Sequence, residues 1–319
     1  MIPIKDKGYA IELEADVTGT TPEQKAPPTR RSKPDMTYAK HLPRGSFVAI
    51  GGAEEKTSDS EIMQRLFGMM KPDNLKVGVL TIASQIPDEV FPPYKALFEN
   101  LGASEVVQID ARSRQDAHDR KKAELMKSCG MVFISGGDQL RLTHVLGSSP
   151  LLDALRERLS KDAVVAGTSA GAAAMSGTMI YNGAASDALK KGAVNMSAGL
   201  GFVQGVVIDS HFLERGRFTR LMEVGATNPE CIGVGIGEDA AVIIHPGPIL
   251  EAIGSGHVII VDSTQMRSCN VTDLSDGEPL AVEHVIMHAL TSGYGYDVRK
   301  RKFLDTTTDF APVAKVPAK

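Results

Sequence analysis

The sequence predicts an α/β protein with a mostly parallel sheet, flanked by helices, and with antiparallel additions in the C-terminal half. Up to Ser169, strand and helix patterns alternate about every thirty residues, which is typical of parallel βαβ units. After Ser169, short apolar strands follow one another with few intervening helices. The chain has 319 residues, of which 42% are hydrophobic and 23% are charged. It can therefore bury a full core, as one large domain or two smaller ones.

In the parallel half, apolar runs that end in glycine or polar residues alternate with amphipathic segments. The predicted strands are 46–52 (SFVAIGG), 76–84 (KVGVLTIAS), 104–109 (SEVVQI), 131–137 (MVFISGG) and 163–168 (AVVAGT). The predicted helices are 58–70, which starts at a capping segment, 92–102, which Gly102 closes, Gln115–Cys129, and one or two helices over Gln139–Leu159.

In the C-terminal half, the predicted strands are 205–212 (GVVIDSHF), 232–236 (IGVGI), 240–245 (AAVIIH), 249–254 (ILEAIG) and 257–263 (HVIIVDS). Before the first strand, residues 17–45 contain five prolines among Thr, Lys, Arg and Gly, a composition that buries too little apolar surface to fold. Residues 9–17 alternate like a strand that pairs with the body or with a partner subunit. We therefore predict an arm or linker over residues 1–44, a catalytic α/β domain over 45–310 and a surface tail over 311–319.

Composition and charge exclude several classes of protein. The formal net charge is -4, and the absence of a long basic stripe argues against nucleic-acid binding. The cysteines Cys129, Cys231 and Cys269 form no CxxC pair, so they indicate neither a disulfide framework nor a thiolate metal site, and a reducing cytoplasm fits best. The N-terminus lacks the apolar core of a signal peptide, and no segment has the roughly 20 apolar residues of a membrane span. We predict no metal and no cofactor.

Residues 164–171 (VVAGTSAG) place one serine between two glycines where a strand gives way to a helix. This pattern fits a nucleophile elbow, in which a tight turn exposes the serine oxygen and the helix N-terminus faces developing negative charge. It equally fits a glycine-rich turn with close helix packing and no chemistry, and the five residues alone leave both readings open. Neither GxGxxG nor GxxxxGK[ST] occurs to support a phosphate site.

A serine nucleophile needs a base, and the chain has eight histidines. His211 ends a predicted strand, where doubly wound sheets gather their functional residues. Glu238 and Asp239 follow another apolar run and are candidates for the acid that orients the base. Three further histidines lie within or beside apolar strands and are more typical of core or edge positions: His245, His257 and His284.

Five motifs together resemble a known family. They are GGAEEK, ISGGDQLRL, GTSAGA, DSHFLERGRFTRL and GIGEDAAV. In this order they are similar to the cyanophycinases, serine hydrolases of the peptidase S51 group, from about Gly45 to about Asp309. The resemblance implies a class I glutamine-amidotransferase-like fold with Ser169 as nucleophile, His211 as general base and Glu238 as the acid. The order Ser, His, Glu argues against an α/β-hydrolase esterase.

The resemblance also implies a substrate. Cyanophycin is a poly-aspartate backbone with an arginine joined to each β-carboxyl group, and the family cuts it through an acyl-enzyme to release β-Asp-Arg dipeptides. The family further suggests a homodimer. We expect an oxyanion hole from the loop of Gly136 and Gly137 and from the amide of Ala170. The predicted substrate-binding residues are Gln139, Asp209, Arg215, Arg217 and Arg220.

The roles of these polar residues follow from their charge and spacing. Arg217 and Arg220 are three residues apart and share a helix face, where guanidinium groups bind carboxylates bidentately. Asp209 is a candidate for the substrate guanidinium. We place the arginines on the rim of the pocket, so that they contribute little to stability. Where the family commonly has Asp-Gln-His, this chain has Asp209-Ser210-His211, which affects the details of substrate binding.

Two alternative functions stay open on the sequence. An aspartyl dipeptidase shares this fold and elbow but needs no long groove. A non-catalytic binder of anionic or β-linked peptides keeps the fold without chemistry.

Overall fold

The structure is a computed structural model that describes residues 46–161, 163–245 and 249–305. The predicted arm over residues 1–44, the strand predicted over 9–17 and the tail over 311–319 lie outside the described residues. The domain boundaries therefore stay predictions. Within the described part of the chain, no helix is both long and apolar enough to cross a membrane.

The described residues form seven α-helices and seventeen strands. The helices are α1 (Glu61–Gly68), α2 (Pro87–Leu101), α3 (Arg120–Lys127), α4 (Gln139–Leu146), α5 (Pro150–Ser160), α6 (Ala170–Ala173) and α7 (Phe218–Thr227). The first nine strands are β1 (Phe47–Ile50), β2 (Lys76–Leu80), β3 (Glu105–Ile109), β4 (Met131–Ile134), β5 (Val164–Thr168), β6 (Thr178–Asn182), β7 (Asn195–Ala198), β8 (Val206–Asp209) and β9 (Ile232–Ile236). The others are β10 (Ala240–His245), β11 (Ile249–Gly254), β12 (Val258–Asp262), β13 (Ser268–Cys269), β14 (Val282–Glu283), β15 (Ile286–Leu290), β16 (Gly295–Asp297) and β17 (Lys302–Leu304).

The central sheet has nine strands in the order β17-β16-β11-β10-β1-β5-β4-β2-β3. The five strands from β1 to β3 are parallel, and the four on the other side of β1 are antiparallel additions. The α/β prediction, with a parallel half and C-terminal antiparallel strands, is confirmed. Strand β1 lies at the junction: Ile50, its last residue, is paired with Thr168 of β5 and with Ala241 of β10.

A second sheet was not expected from the sequence. Its four strands have the order β15-β12-β9-β8, with β8 and β9 parallel. In a single doubly wound sheet, the strand ends that carry Ser169, His211 and Glu238 would meet at one edge. Instead, β5 leads to Ser169 from the central sheet, whereas β8 and β9 lead to His211 and Glu238 from the second sheet.

The two faces of the central sheet are covered differently, because alternate residues of each strand point to opposite sides. Val48 and Ile50 pack with residues of α1 and α2. Phe47 and Ala49 belong to a larger core that includes residues of α3, α4, α5 and the second sheet. The outer face of the second sheet packs on α7. The second sheet thus forms part of the layer over one face of the central sheet.

Two helices begin more than one turn away from their predicted starts, and local capping explains one of these differences. The predicted helix over Gln115–Cys129 is a short 3₁₀ turn followed by α3, because the side chain of Asp119 accepts the amide of Lys121 and restarts the helix. Residues 139–159, where one or two helices were predicted, form two, because Ser149 caps α5 by accepting the amide of Leu152. Helix α2 begins at Pro87, five residues earlier than predicted, and continues through two prolines.

Candidate active site

The turn after β5 has the geometry of a nucleophile elbow. Ser169 has φ +52° and ψ -113°, an unfavourable backbone conformation for a residue with a side chain. Glycines on both sides make the turn possible: a Cβ atom on Gly171 would lie 2.5 Å from the carbonyl oxygen of Ile134, and one on Gly167 would lie 2.7 Å from the backbone of Gly171. The amide of Ser169 donates to the carbonyl of Ile50 at 2.9 Å. The helix that follows, α6, has only four residues.

The structure brings Ser169, His211 and Glu238 into one hydrogen-bonded chain. Oγ of Ser169 lies 2.9 Å from Nε2 of His211, and Nδ1 of His211 lies 2.7 Å from Oε1 of Glu238. Because an ionised carboxylate can only accept, Glu238 selects the tautomer with the proton on Nδ1. Nε2 is then an acceptor for the Ser169 hydroxyl. This arrangement can remove the serine proton and stabilise the imidazolium that forms.

Gly51 and Gly52, the first two residues of the GGAEEK motif, hold these groups together. The carbonyl of Gly51 accepts the amide of His211 at 2.8 Å, and the carbonyl of Gly52 accepts the amide of Asp239 at 3.1 Å. A Cβ atom on Gly52, where φ is +109°, would lie 2.3 Å from Cε1 of His211. In the sequence this motif contributed only to the resemblance, and its contact with the imidazole was not predicted. The two glycines after an apolar strand were the available signal.

The three residues expected to form the oxyanion hole have different surroundings. Gly136 borders the nucleophile, since a Cβ atom there would lie 3.4 Å from Cβ of Ser169. Ala170 follows Ser169 directly at the start of α6. Gly137 packs on backbone instead, because its added Cβ would lie 2.1 Å from the carbonyl oxygen of Ala83. The structure therefore brings Gly136 and Ala170 to the serine.

The predicted substrate residues Gln139, Asp209, Arg217 and Arg220, together with Ser210, line a cavity of about 240 Å³, here called the arginine cavity. Arg217 donates to Oδ1 of Asp209 at 3.1 Å and to the carbonyl of Ser210 at 2.6 Å. Nε of Arg220 lies 3.2 Å from Oδ2 of Asp209. Gln139 donates to the carbonyl of Ile180 at 3.1 Å.

These contacts differ from the sequence expectations in two ways. Asp209 is buried and contacts two arginines of the chain, rather than standing ready for a substrate guanidinium. Arg220 is not on a rim: its side chain is 6% exposed and also donates to the carbonyl of Gly183. Arg215 is exposed and does not line the cavity.

Burial and charge act against each other in this cluster. Burial raises the pKa of the Asp209 carboxyl, and the charges of Arg220 and Arg217 oppose that rise. Burial lowers the pKa of both arginines, and Asp209 opposes that change. Two guanidinium groups around one carboxylate leave the cluster with an excess of positive charge, which suits an anionic ligand.

A second cavity, of about 350 Å³, is lined by Gly136 and Ser169 among others, and we call it the Lys56 cavity. Its wall contains Glu54, which is 3% exposed and accepts hydrogen bonds from the hydroxyls of Tyr94 and Thr168, both at 2.5 Å. Burial, and then the charge of Glu54, raise the pKa of the Tyr94 phenol. Nζ of Lys56 lies 3.6 Å from Glu54. No role was predicted from the sequence for any of these side chains.

Comparisons with known proteins show which family the chain is similar to. The model of peptidase family S51 matches residues 47–251. A protein named Cyanophycinase from Geminocystis herdmanii is 34% identical over 255 residues, which are 80% of this chain and 94% of the relative. One of the same name from Trichormus variabilis is 32% identical over 290 residues, 91% of this chain and 95% of the relative. The crystal structure of a peptidase from an acI-B1 Actinobacterium matches with a TM-score of 0.60 and 20% identity, over 82% of this chain and 99% of that chain, and shares the fold.

Proposed function

Because the chain belongs to peptidase family S51, we propose that it is a serine exopeptidase that hydrolyses cyanophycin to β-Asp-Arg dipeptides. The relatives that match over most of its length carry the name Cyanophycinase. The observation that carries the proposal is the hydrogen-bonded chain from Ser169 through His211 to Glu238, at a strained turn.

The proposed reaction follows from this geometry. Oγ of Ser169 attacks the scissile carbonyl while Nε2 of His211 takes its proton, and Glu238 stabilises the imidazolium. The amides of Gly136 and Ala170 donate to the oxyanion of the tetrahedral intermediate, a contribution of about 10²–10³ in rate per donor. His211 then returns the proton to the leaving nitrogen, and water hydrolyses the acyl-enzyme with the same histidine as base.

The arginine cavity supports the assignment of an anionic substrate. Asp209 holds Arg217 and Arg220 in fixed positions, so their remaining donors are already oriented when a carboxylate arrives. In this proposal Asp209 acts through the arginines. The exposed Arg215 reaches the substrate from outside the cavity.

Replacing the nucleophile tests the proposal. Ser169→Ala should lower kcat on purified cyanophycin at least about 1,000-fold while polymer binding and the circular dichroism spectrum persist. Ser160→Ala, at an exposed serine at the end of α5, is the matched control and should keep wild-type activity. The proposal would be overturned if Ser169→Ala kept its activity, or if the wild type hydrolysed Asp-X dipeptides but not the polymer.

We also propose that the protein is a cytoplasmic homodimer. The family resemblance supports the dimer, and the unpaired state of Cys129, Cys231 and Cys269 fits a reducing compartment. Light scattering coupled to size-exclusion chromatography should give twice the monomer mass of 34.0 kDa. A monomer mass at micromolar concentration would contradict it.

A further inference from the structure

The Lys56 cavity adjoins both the nucleophile and the general base. Ser169 and Gly52 line it together. Gly52 lies against the imidazole, since a Cβ atom there would be 2.3 Å from Cε1 and 2.5 Å from Nε2 of His211. The nitrogen that leaves must take its proton from this imidazole, so the leaving unit has to pass beside it. The Lys56 cavity is therefore placed to hold the leaving side of the scissile bond.

Lys56 is held in this cavity by two contacts that leave its hydrogen-bond donors unused. Its Nζ lies 3.6 Å from Oε1 of Glu54 and 5.3 Å from the centre of the Tyr94 ring. Among the described residues, Nζ donates no hydrogen bond, although an ammonium has three donors. Both oxygens of Glu54 already accept short hydrogen bonds, from Tyr94 and Thr168. The ammonium thus lies beside Glu54 and Tyr94 with its donors available for an acceptor.

We propose that Lys56 binds a carboxylate of the leaving unit; binding to the backbone terminus would also select the terminal unit, because interior units lack that group. This proposal rests on the function proposed above. An exopeptidase removes a terminal unit. A positive charge beside the scissile bond binds the terminal carboxylate, and so favours cleavage of the terminal unit over cleavage inside the chain. The exposed Glu89 also lines the cavity and carries the opposite charge, which suits a unit that contains a guanidinium as well as carboxylates.

The leaving unit has two carboxylates that could bind Lys56: the backbone terminus of its aspartate and the carboxylate of its arginine. A synthetic trimer of β-Asp-Arg units separates them when it is made in three forms. One form has both carboxylates free, one has the backbone terminus amidated, and one has the terminal arginine amidated. We would measure kcat/KM on each form with the wild type, Lys56→Met, Lys56→Arg and Lys95→Met. Lys95 is the control, since it has similar exposure and is paired with Glu99 at 2.6 Å.

With the wild type and Lys95→Met, one amidated form should be cleaved about tenfold or more slowly than the free form. On the free form, Lys56→Met should show a similar loss of kcat/KM. It should no longer distinguish the free form from that amidated form, and Lys56→Arg should recover part of the preference. The form that the wild type discriminates against identifies which carboxylate Lys56 binds.

Three results would overturn the inference. The wild type could cleave all three forms equally, Lys56→Met could keep the wild-type preference, or Lys56→Met could lose the same factor on all three forms, which would indicate a structural role. If the wild type cleaves none of the forms and no polymer, the proposed function fails, and the inference fails with it. If the wild type is active and Lys56→Met keeps the wild-type preference, the proposed function stands and only the role of Lys56 fails.

Discussion

Gly52 is the residue where a single methyl group should be most harmful to the reaction without breaking the fold. In Gly52→Ala the new Cβ would meet the His211 ring, and φ of +109° adds backbone strain. A displacement of about 1 Å in a catalytic group costs on the order of 100-fold in rate. We therefore expect kcat/KM on cyanophycin to fall by at least about 100-fold.

Gly277→Ala is the control that separates the contact of the new methyl group with the imidazole from the backbone strain of a positive φ. Gly277 also has positive φ, +86°, but nothing lies within 4 Å of an added Cβ. Both variants should lose about 1–2 kcal/mol of unfolding free energy through the positive φ, Gly52→Ala should lose more because of its contact with the His211 ring, and only Gly52→Ala should lose activity. Equal activities in the two variants would show that Gly52 does not position the imidazole.

The arginines should separate into a structural and a substrate-binding group. Arg220→Ala leaves the buried Asp209 with one partner fewer, so the free energy of unfolding should fall by about 3 kcal/mol. Arg215→Ala removes an exposed side chain and should change stability by less than about 0.5 kcal/mol. Urea unfolding of both variants measures the difference, and equal stabilities would contradict it.

Among individual residues, the sequence predicted those that a local sequence pattern marks as functional. Ser169 and Glu238 follow apolar runs and His211 ends one, and the structure brings all three together. Glu54 and Lys56 could not be predicted, because their significance depends on Tyr94 and Thr168, which lie 40 and 114 residues from Glu54 along the chain. The mutual contact of Asp209 and Arg220 was missed for a different reason: charge and spacing do not show which groups satisfy each other.

Helix α7 fixes one wall of the arginine cavity through its polar face. Glu223 is buried and accepts the amides of Leu189 at 3.1 Å and Val194 at 2.8 Å. Thr219 donates to the carbonyl of Ala185, and Arg220 to that of Gly183, which lines the cavity. Three side chains of one helix thus hold the segment between β6 and β7 against the site.

Glu223→Gln should loosen this segment. A carboxylate has two acceptor oxygens, whereas an amide group has one oxygen and one NH₂ donor. In the variant, the backbone N–H of Leu189 or Val194 would therefore face the NH₂ group, which should cost about 1–3 kcal/mol of unfolding free energy. Hydrogen exchange of residues 183–195 should accelerate, and KM for cyanophycin should rise more than kcat falls. Glu230→Gln, at an exposed position just after α7, is the control. Unchanged exchange in Glu223→Gln would show that the carboxylate does not hold the segment.

At the level of elements, alternation predicted the parallel strands well, and helix boundaries less well. The start of α2 at Pro87 was missed because Pro92 and Pro93 look like a helix start, whereas α2 continues through them despite two absent amide donors. Packing of Tyr94, Leu97 and Phe98 on the central sheet supports the helix there. Such tertiary compensation is not visible in local sequence.

The whole molecule positions its site between two sheets. Parallel order could be predicted, because βαβ units dictate it. The separate second sheet could not, because an apolar run gives the same signal whichever strand it pairs with. The Gly51–Gly52 segment, next to β1, joins the sheets by accepting amides of His211 and Asp239, and Gly51 packs directly on the backbone of Gly237.

Asp262 joins the two sheets a second time, away from the site. It ends β12 of the second sheet and accepts hydrogen bonds from Thr264, from the hydroxyl of Tyr296 in the central sheet at 3.1 Å and from Arg301 at 3.0 Å. Burial acts to raise the pKa of its carboxyl, but the hydrogen bonds from Thr264 and the charge of Arg301 outweigh it and hold the pKa below its usual value.

Asp262→Asn should therefore destabilise the whole molecule in a pH-dependent way. A carboxyl whose folded pKa is lowered contributes stability that is fully present above its unfolded pKa of about 3.9 and is lost as the pH falls through the folded value. At pH 7 we expect the variant to lose about 2–4 kcal/mol of unfolding free energy, because the partly buried Arg301 loses its partner. Urea unfolding between pH 3 and 7 should show this difference constant above about pH 5 and shrinking below about pH 4. Asp273→Asn, at an exposed carboxylate, should follow the wild type throughout. A difference that is independent of pH would mean that the charge of Asp262 does not hold the two sheets together.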